Sequence, residues 1–557
     1  MDKNRLNECV RQVDSLSGKF ERGEERALLV DLEKQTCSAC PIPAKWVENY
    51  VSGPALAARI WAEYAGEQLD NPTDCEASNP VVITTSYYGD DGVIAFRSPQ
   101  TGALYFNYCP AVFSAKIIMC GFSAVIVTGR LEQMGYVKIR SNGADVVSGE
   151  NLRDLTVRQV EQYLGKDVLT VGPAGERYVP YAALVGPGGV CGRGGAGLVL
   201  GLKNVKALVF DSADRVVRNG VSAAEINTFQ FMAVGKKNGW IPLDNYRYRT
   251  DPRLFHLSEG EALRKWPELK KNSRIKTTAE GKLIPDYDAL VMLGANTGCF
   301  GLGKIAERYN TAVDLGLDPV SLGNVLGWLK EAQEKKCGYL PFEVDFTDNG
   351  DVLPLIEKIA RGEPSCSSFE KLYAQSPFAY SINGLECGSC DYRGCFAEAL
   401  NCALGNWFPA YVALNPVLVE KAAAFWVALN EELVMGLQSL GIRETLFVRR
   451  ILALKGMKLG LLTVFREKAW LSLMPFDELE KLGINGEDVL RLGRKCRRLV
   501  REINRCISGK KPALPEYFCS DPRSNCAKPS IVPFSKLLDS YSAVYRRICT
   551  LQDSVVR

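Results

Sequence analysis

The chain has almost no histidine. His256 is the only one in 557 residues, which excludes zinc or iron sites built from several imidazoles. A triad built on His256 would need a neighbouring nucleophile, and RLFHLSEG supplies no such motif. Long apolar runs are also missing. No uninterrupted stretch approaches the ~18 residues of a spanning helix, and ALVGPGGVCGRGGAGLVLGL is broken by glycines, a proline and an arginine. The N-terminus MDKNRLNECVRQVDSLSGKFERGEE is charged throughout, so the expectation is a cytoplasmic protein without a secretory leader and without a membrane partner. A net charge of +4 is small for this length and gives no argument for nucleic acid.

What is plentiful is cysteine. Nineteen, an odd number, argue against a disulfide scaffold and leave free thiols, buried fillers and clusters. The densest cluster is GLECGSCDYRGC, with Cys387, Cys390 and Cys395, and Cys402 follows on a short helical stretch. Three readings stay open: thiolate ligation of an iron–sulfur cluster or another metal by these four, a redox-active Cys387/Cys390 dithiol, or buried cysteines without chemistry. A second pair, Cys37 and Cys40 in TCSAC, imitates a metal motif inside a strand-like region.

Composition and length divide the chain into several domains. From about 26 to 212, RALLVDL, NPVVITTSYY, GVIAFRS, SAVIVTG and YVKIRS read as short strands, with one helix at NLRDLTVRQVEQYLG. After 213 the three- and four-residue apolar spacing of helices takes over. VLVEKAAAFWVALNEELVMGLQSLG reads as a buried helix. EDVLRLGRKCRRLVREINRCISG lines up Leu492, Cys496, Leu499, Ile503 and Cys506, with an arginine-rich opposite face that is either solvated or a docking patch for an acidic partner. The expected class is α+β: a β-rich domain over 1–212 packed against two mainly α-helical domains, 213–375 and 376–557.

GVCGRGGAGLVLGLKNVKALVF is the most informative stretch. Gly194, Gly195 and Gly197 let a backbone approach something closely, while Arg193, Lys203 and Lys206 put positive charge beside backbone donors, a combination suited to an anionic cofactor group. It fits neither a Walker loop nor a strand–GxGxxG–helix unit. The stretch resembles the GRGG-G-G-KN-KA signature of the aldehyde ferredoxin oxidoreductase family. FRSPQTGALYFN, GFSAVIVTGR, VGPAGERYVPYAALV, IPDYDALVMLGANTG, NTAVDLGLDPVSLGNVLGW and INGLECGSCDYRG agree with that family in order, over roughly residues 26–510.

The resemblance implies tungsten or molybdenum held by two pyranopterins beside a 4Fe–4S cluster, and two-electron oxidation of an aldehyde, or the reverse, with ferredoxin or an iron–sulfur subunit as electron partner. It places Arg193, Gly194, Gly195, Gly197, Lys203, Asn204, Asp391, Arg393 and Gly394 at the cofactor. Asp286 and Asp288 stand at the position of the family's acidic pair. With histidine absent, a carboxylate must do the acid–base work, and Asp288 is the first choice; a helix cap is the alternative for the pair. Glu386 and Asp391 flank the thiols.

The chain departs from the pattern elsewhere. The family's Cys-x2-Cys-x3-Cys is replaced by RKWPELKKNSRIKTTAEGKL, and GMKLGLLTVF lacks the late Asp and Cys. FNYCPAVF is bulkier than the small turn expected near one pterin, and NWFPAYVAL offers no catalytic histidine. A second expectation therefore stands beside the enzyme: a catalytically silent paralogue serving as a structural or electron-transfer subunit, as a homodimer or in a hetero-complex.

Overall fold

The structure is a computed structural model. It describes residues 3–14, 25–66, 75–86, 92–141, 143–186, 189–211, 228–270, 277–340, 343–366, 368–394, 396–404, 486–508 and 534–542, with isolated positions between 427 and 440 and between 514 and 532. The segments NWFPAYVAL and GMKLGLLTVF, and nearly all of the expected helix VLVEKAAAFWVALNEELVMGLQSLG, lie outside the described residues.

Two six-stranded sheets dominate the first 211 residues. The first contains β1 (Glu25–Asp31), β2 (Thr36–Ile42), β3 (Val81–Thr84), β4 (Gly92–Arg97), β5 (Leu104–Cys109) and β6 (Ala124–Thr128), in the order β2-β1-β6-β3-β4-β5. The second contains β7 (Gly135–Arg140), β8 (Gly143–Ser148), β9 (Val168–Val171), β10 (Leu184–Gly186), β11 (Gly189–Gly192) and β12 (Val205–Asp211), in the order β11-β10-β9-β12-β7-β8. Each sheet has one parallel pair, β1 with β6 and β12 with β7. The strands expected from RALLVDL, VVITT, GVIAFR, AVIVT and YVKIR are all present. The central ones, β3, β6 and β12, are buried along nearly their whole length, as a strand covered on both faces should be.

The first region holds more helix than its periodicity shows. Gly53–Tyr64, GPALAARIWAEY, is buried from Gly53 to Ala62 and so carries no polar stripe to betray it. The expected helix Val157–Leu164 is there, closed by a capping box between Thr156 and Gln159. TCSACPI is β2, paired antiparallel with β1. Cys37 and Cys40 are three positions apart on this strand and point to opposite faces. Cys37 packs on one apolar core and Cys40 on another, so they form no metal pair.

The helical part follows, giving the α+β architecture expected. Pro319–Glu334 is capped by Asp318, which accepts from the N–H groups of Val320 and Ser321 at 3.2 and 3.1 Å, with Pro319 at the first position. Ahead of it the chain turns a corner. A π-turn over Leu290–Gly294 and a 3-10 turn over Ala295–Thr297 lead to Gly298, whose φ is +77°. The helix Leu302–Asp314 leaves at 112° to the preceding one. Arg308, buried, donates to Leu293 O, Thr297 Oγ1 and Phe346 O at 3.0, 2.9 and 2.9 Å and so ties both sides of the corner. Among the described residues no single helix is long and apolar enough to cross a membrane.

The late helix Gly486–Ile507 buries Leu492, Cys496, Leu499 and Ile503 as expected, with Cys506 partly buried. Its arginine face is largely engaged with the protein. Arg494 and Arg497 both donate to Glu432 at 2.7 Å, and Arg501 donates to Tyr541. The face is thus an internal clamp along much of its length, which removes most of the free charge that a docking patch would use.

Candidate functional site

The glycine loop between β11 and the helix Ala196–Leu202 meets four other segments: the Ser98–Thr101 turn after β4, β5 at Tyr105 and Asn107, the start of Pro319–Glu334, and Leu385–Cys387. Arg193 is the centre of the contact. Its Nε donates to Asp318 at 3.1 Å, its Nη2 donates to Glu386 O at 2.6 Å, and Asn107 pairs with its main chain in both directions at 2.9 Å. Burial opposes its charge, but Asp318, Tyr105 and Glu386 hold its pKa above the ordinary value. Gln100 Nε2 donates to both oxygens of Glu386 at 3.2 and 3.0 Å. Burial pushes the Glu386 carboxyl upward. Ser321 Oγ donates to Asp318 at 2.6 Å, and Asn324 Nδ2 donates to Cys387 O at 2.5 Å. Gln100 Oε1 and Asn324 Oδ1 are shielded from solvent with no partner among the described residues.

The glycines do two kinds of work. Gly194 and Gly195 have φ of +74° and +83°, a region natural to glycine. A Cβ on Gly194 would stand 3.1 Å from the Tyr105 ring, and one on Gly195 would stand 2.7 Å from Pro99. Gly197 instead lets its helix press on the backbone of Ala183, where a Cβ would sit 2.6 Å from the carbonyl carbon. Lys203 and Asn204 are turned into the protein. Lys203 Nζ donates to Gly129 O at 2.8 Å, and Asn204 Nδ2 to Leu131 O at 2.7 Å. Lys206 is fully buried against Glu176 and also donates to Leu155 O at 2.8 Å. These three bind helix to sheet, whereas Arg193, Gly194 and Gly195 face the junction.

Asp391, Arg393 and Gly394 form a second, closed unit. Asp391 and Arg393 are both 0% exposed at the side chain and pair through Nε–Oδ1 at 3.1 Å and Nη2–Oδ2 at 2.9 Å. Arg393 also donates to Tyr246 O, and its guanidinium stands 5.5 Å from the Phe518 ring centroid. Gly394 lies against Gly239 and Trp240, leaving no room for a side chain. The element is held by protein on the sides described here.

The thiols follow different paths. Cys387 and Cys390 are buried and Cys402 is half-buried, none of them in a disulfide; Cys395 lies outside the described residues. Burial raises the pKa of Cys387 and of Cys402, the opposite of an activated thiolate. Cys402 donates to Glu398 Oε1 at 3.3 Å, one turn earlier on the helix Phe396–Ala403. Cys390 donates to Asp391 O, at 3.9 Å. Among the described residues no three His, Cys, Asp or Glu side chains gather as a metal-binding group. The set Cys387, Cys390 and Cys402 therefore does not fit an iron–sulfur cluster in this arrangement.

Asp286 is exposed and caps the short helix Tyr287–Ala289, accepting from Ala289 N at 2.9 Å. Asp288 is half-buried and accepts from Ser389 Oγ, which puts it beside the cysteine segment. The two carboxylates of the sequence pair thus do different jobs.

One carboxyl was not singled out by the sequence. Glu398 has part of its surface exposed, yet its Oε2 is shielded and without a partner among the described residues. Burial first, then the charge of Asp288, raise its pKa to about 7 against the thiol hydrogen bond of Cys402. The folded chain thus keeps a proton that the unfolded chain gives up near 4.5. Unfolding therefore becomes easier as pH climbs from about 4.5 to about 7. The urea midpoint of the wild type should fall across that window more than that of Glu398→Gln; parallel curves would refute the assignment.

Nothing in the sequence around Glu398, Gln100 or Asn324 marks them, since each is defined by partners distant along the chain. Asp318 had a local signal, as an Asp-Pro at a helix start.

Residues 27–212 match the family description "Aldehyde ferredoxin oxidoreductase, N-terminal domain", and residues 211–545 match "Aldehyde ferredoxin oxidoreductase, domains 2 & 3". The chain is similar to the tungsten-containing aldehyde ferredoxin oxidoreductase of Pyrococcus furiosus, 25% identical over 390 residues, which cover 59% of this chain and 63% of that protein. The enzyme of the same name from Thermococcus kodakarensis is 26% identical over 392 residues, again 59% and 63%. The aliphatic sulfonate oxidoreductase, WOR-like subunit, of Pyrococcus furiosus is 20% identical over 407 residues, 61% and 64%. The alignments thus span less than two thirds of these relatives. Among solved structures, the active site complex BamBC of benzoyl coenzyme A reductase with 1,5-dienoyl-CoA superposes with a TM-score of 0.61 at 14% identity, covering 93% of this chain and 94% of that one, a likeness of fold.

Proposed function

This chain belongs to the aldehyde ferredoxin oxidoreductase family, and on that premise we propose that it oxidises an aldehyde by two electrons, or reduces the acid in reverse. The balanced reaction is RCHO + H2O giving RCOOH, two protons and two electrons. The electrons leave to ferredoxin or to an iron–sulfur subunit. A tungsten or molybdenum pterin, when bound, would supply the two-electron redox chemistry.

The observation that carries this reading is the Arg193 junction. A buried acceptor left without a donor costs about 1–3 kcal/mol, and two of them, Gln100 Oε1 and Asn324 Oδ1, belong to the segments that meet there. The amino-pyrimidinone edge of a pterin is rich in N–H donors and fits such acceptors. Glu386, Gln100 and Asn324 would hold that edge. Arg193, 23% exposed at its side chain, would neutralise the phosphate. Asp318 fixes Arg193, and Ser321 fixes Asp318. Gly194 and Gly195 keep side chains out of the way.

A second reading is favoured by one observation. The described thiols form no metal-binding group, so the chain is alternatively a silent paralogue acting as a structural or electron-transfer subunit. Elemental analysis of the purified protein separates the two. The enzyme reading expects about one tungsten or molybdenum per chain and pterin fluorescence after oxidation. Neither metal and no fluorescence would leave the subunit reading standing.

A further inference from the structure

The Ser98–Thr101 turn is held from two sides, and only one of them is the Arg193 junction. On the junction side Ser98 Oγ donates to Gly194 O at 2.7 Å, and Gln100 Nε2 donates to both Glu386 oxygens. On the other side lies the end of the late helix Gly486–Ile507. Arg97, the last residue of β4, donates through Nη2 to Ile507 O at 3.0 Å and through Nε to Gly102 O at 2.9 Å. The N–H of Leu104, the first residue of β5, donates to Asn504 Oδ1 at 2.8 Å. One helix end thus grips both strands at the points where the turn leaves them.

The physical reasons for that grip are plain. The last carbonyls of a helix lack intrahelical donors and carry the negative end of its dipole, so a guanidinium suits them. Arg97 is fixed in turn by Asn79: its N–H donates to Asn79 Oδ1 and its carbonyl accepts from Asn79 Nδ2, both at 2.9 Å. Within the turn, Ser98 N donates to Ala103 O and Gly102 N to Ser98 O, each at 2.8 Å. Cys496, Leu499, Ile503 and Ile507 of the helix share one apolar core with Leu104 and Phe106 of β5. Helix, strand ends and turn are therefore coupled by packing as well as by hydrogen bonds.

We propose that Arg97 and Asn504 are positioning residues for the candidate site: they hold the Ser98–Thr101 turn so that Gln100 stands at Glu386 and Ser98 at Gly194. A helix 400 positions away along the chain thereby completes a cradle that the first domain begins. This inference rests on the oxidoreductase reading for what the cradle holds, and it adds two residues that reading does not use.

Hydrogen exchange of the purified chain, followed by mass spectrometry, reads the positioning without any cofactor. Asn504→Leu removes the acceptor of the Leu104 N–H, and Arg97→Met removes both guanidinium bonds. In each variant exchange over Ser98–Leu104 and over Leu385–Cys387 should quicken about tenfold or more, while β7 and β8 keep wild-type rates. Asn504→Asp keeps an accepting oxygen and should restore the protection. In protein purified with its cofactor, Asn504→Leu and Arg97→Met should carry less pterin and metal per folded chain, and Asn504→Asp should not. The loss from Arg97→Met should shrink in a Gln100→Leu background, where the turn has no amide left to place.

Unchanged exchange in both segments, or faster exchange spread over the whole chain, would overturn the proposal. So would a cofactor content that stays at the wild-type level while the turn loosens, or losses that simply add in the double variant. A wild type with neither metal nor pterin would end the oxidoreductase reading instead, and the exchange rates would still decide whether the helix sets the turn.

Discussion

Asp391→Ala should be the most damaging single substitution in the described part of the chain. It leaves the Arg393 guanidinium, 0% exposed, without its bidentate carboxylate. Removing one partner of a buried pair costs about 3–5 kcal/mol, because the other charge stays buried and uncompensated. The neighbours cannot relax to help. Asp391 N donates to Trp240 O at 2.5 Å, and Phe518 lies against both Tyr392 and Arg393. Urea unfolding followed by tryptophan fluorescence should show that loss of stability. A double variant, Asp391→Ala with Arg393→Met, should be more stable than the single one, since it deletes the orphaned charge. A single variant as stable as the wild type would show that the pair is open to water.

Gly197→Ala is the second large effect, and it separates packing from binding within the glycine loop. The added methyl would fall 2.6 Å from Ala183 C and 2.7 Å from Ala183 N, against backbone that has no rotamer to change. Overpacking of this kind costs about 1–3 kcal/mol or more. Stability should drop while the junction at Arg193 keeps its chemistry. The tungsten or molybdenum content of whatever protein folds should therefore stay near that of the wild type. Gly194→Ala is the contrasting case: its methyl meets the flat side of Tyr105, and its effect should fall on cofactor content as much as on stability. Equal behaviour of the two variants would refute the division.

Much of the fold was legible because the strands of the first domain are β-branched runs between turn residues, and the amphipathic helices advertise their period. The helix Gly53–Tyr64 was not, since it is buried on every side and its pattern has no polar face. The candidate site was legible only where function leaves a local mark. Arg193, Gly194 and Gly195 stand together in sequence and in space. Lys203 and Asn204 carry the same kind of signal but serve the helix–sheet contact, a distinction that spacing cannot make. Gln100, Glu386 and Asn324 come from three separate segments, and only folding brings them to one junction. The cysteines have the spacing of a cluster, and of the expected four Cys402 donates to Glu398, Cys390 to the carbonyl of Asp391, and Cys395 lies outside the described residues.

The corner between Leu290 and Leu302 has a mechanical meaning. Arg308 spends its guanidinium on Leu293 and Thr297 on one side and Phe346 on the other. Flexing that elbow would pull a buried cation from its carbonyl and hydroxyl acceptors, so the joint resists bending. The segment bearing Asp286 and Asp288 is thereby mounted on a rigid bracket.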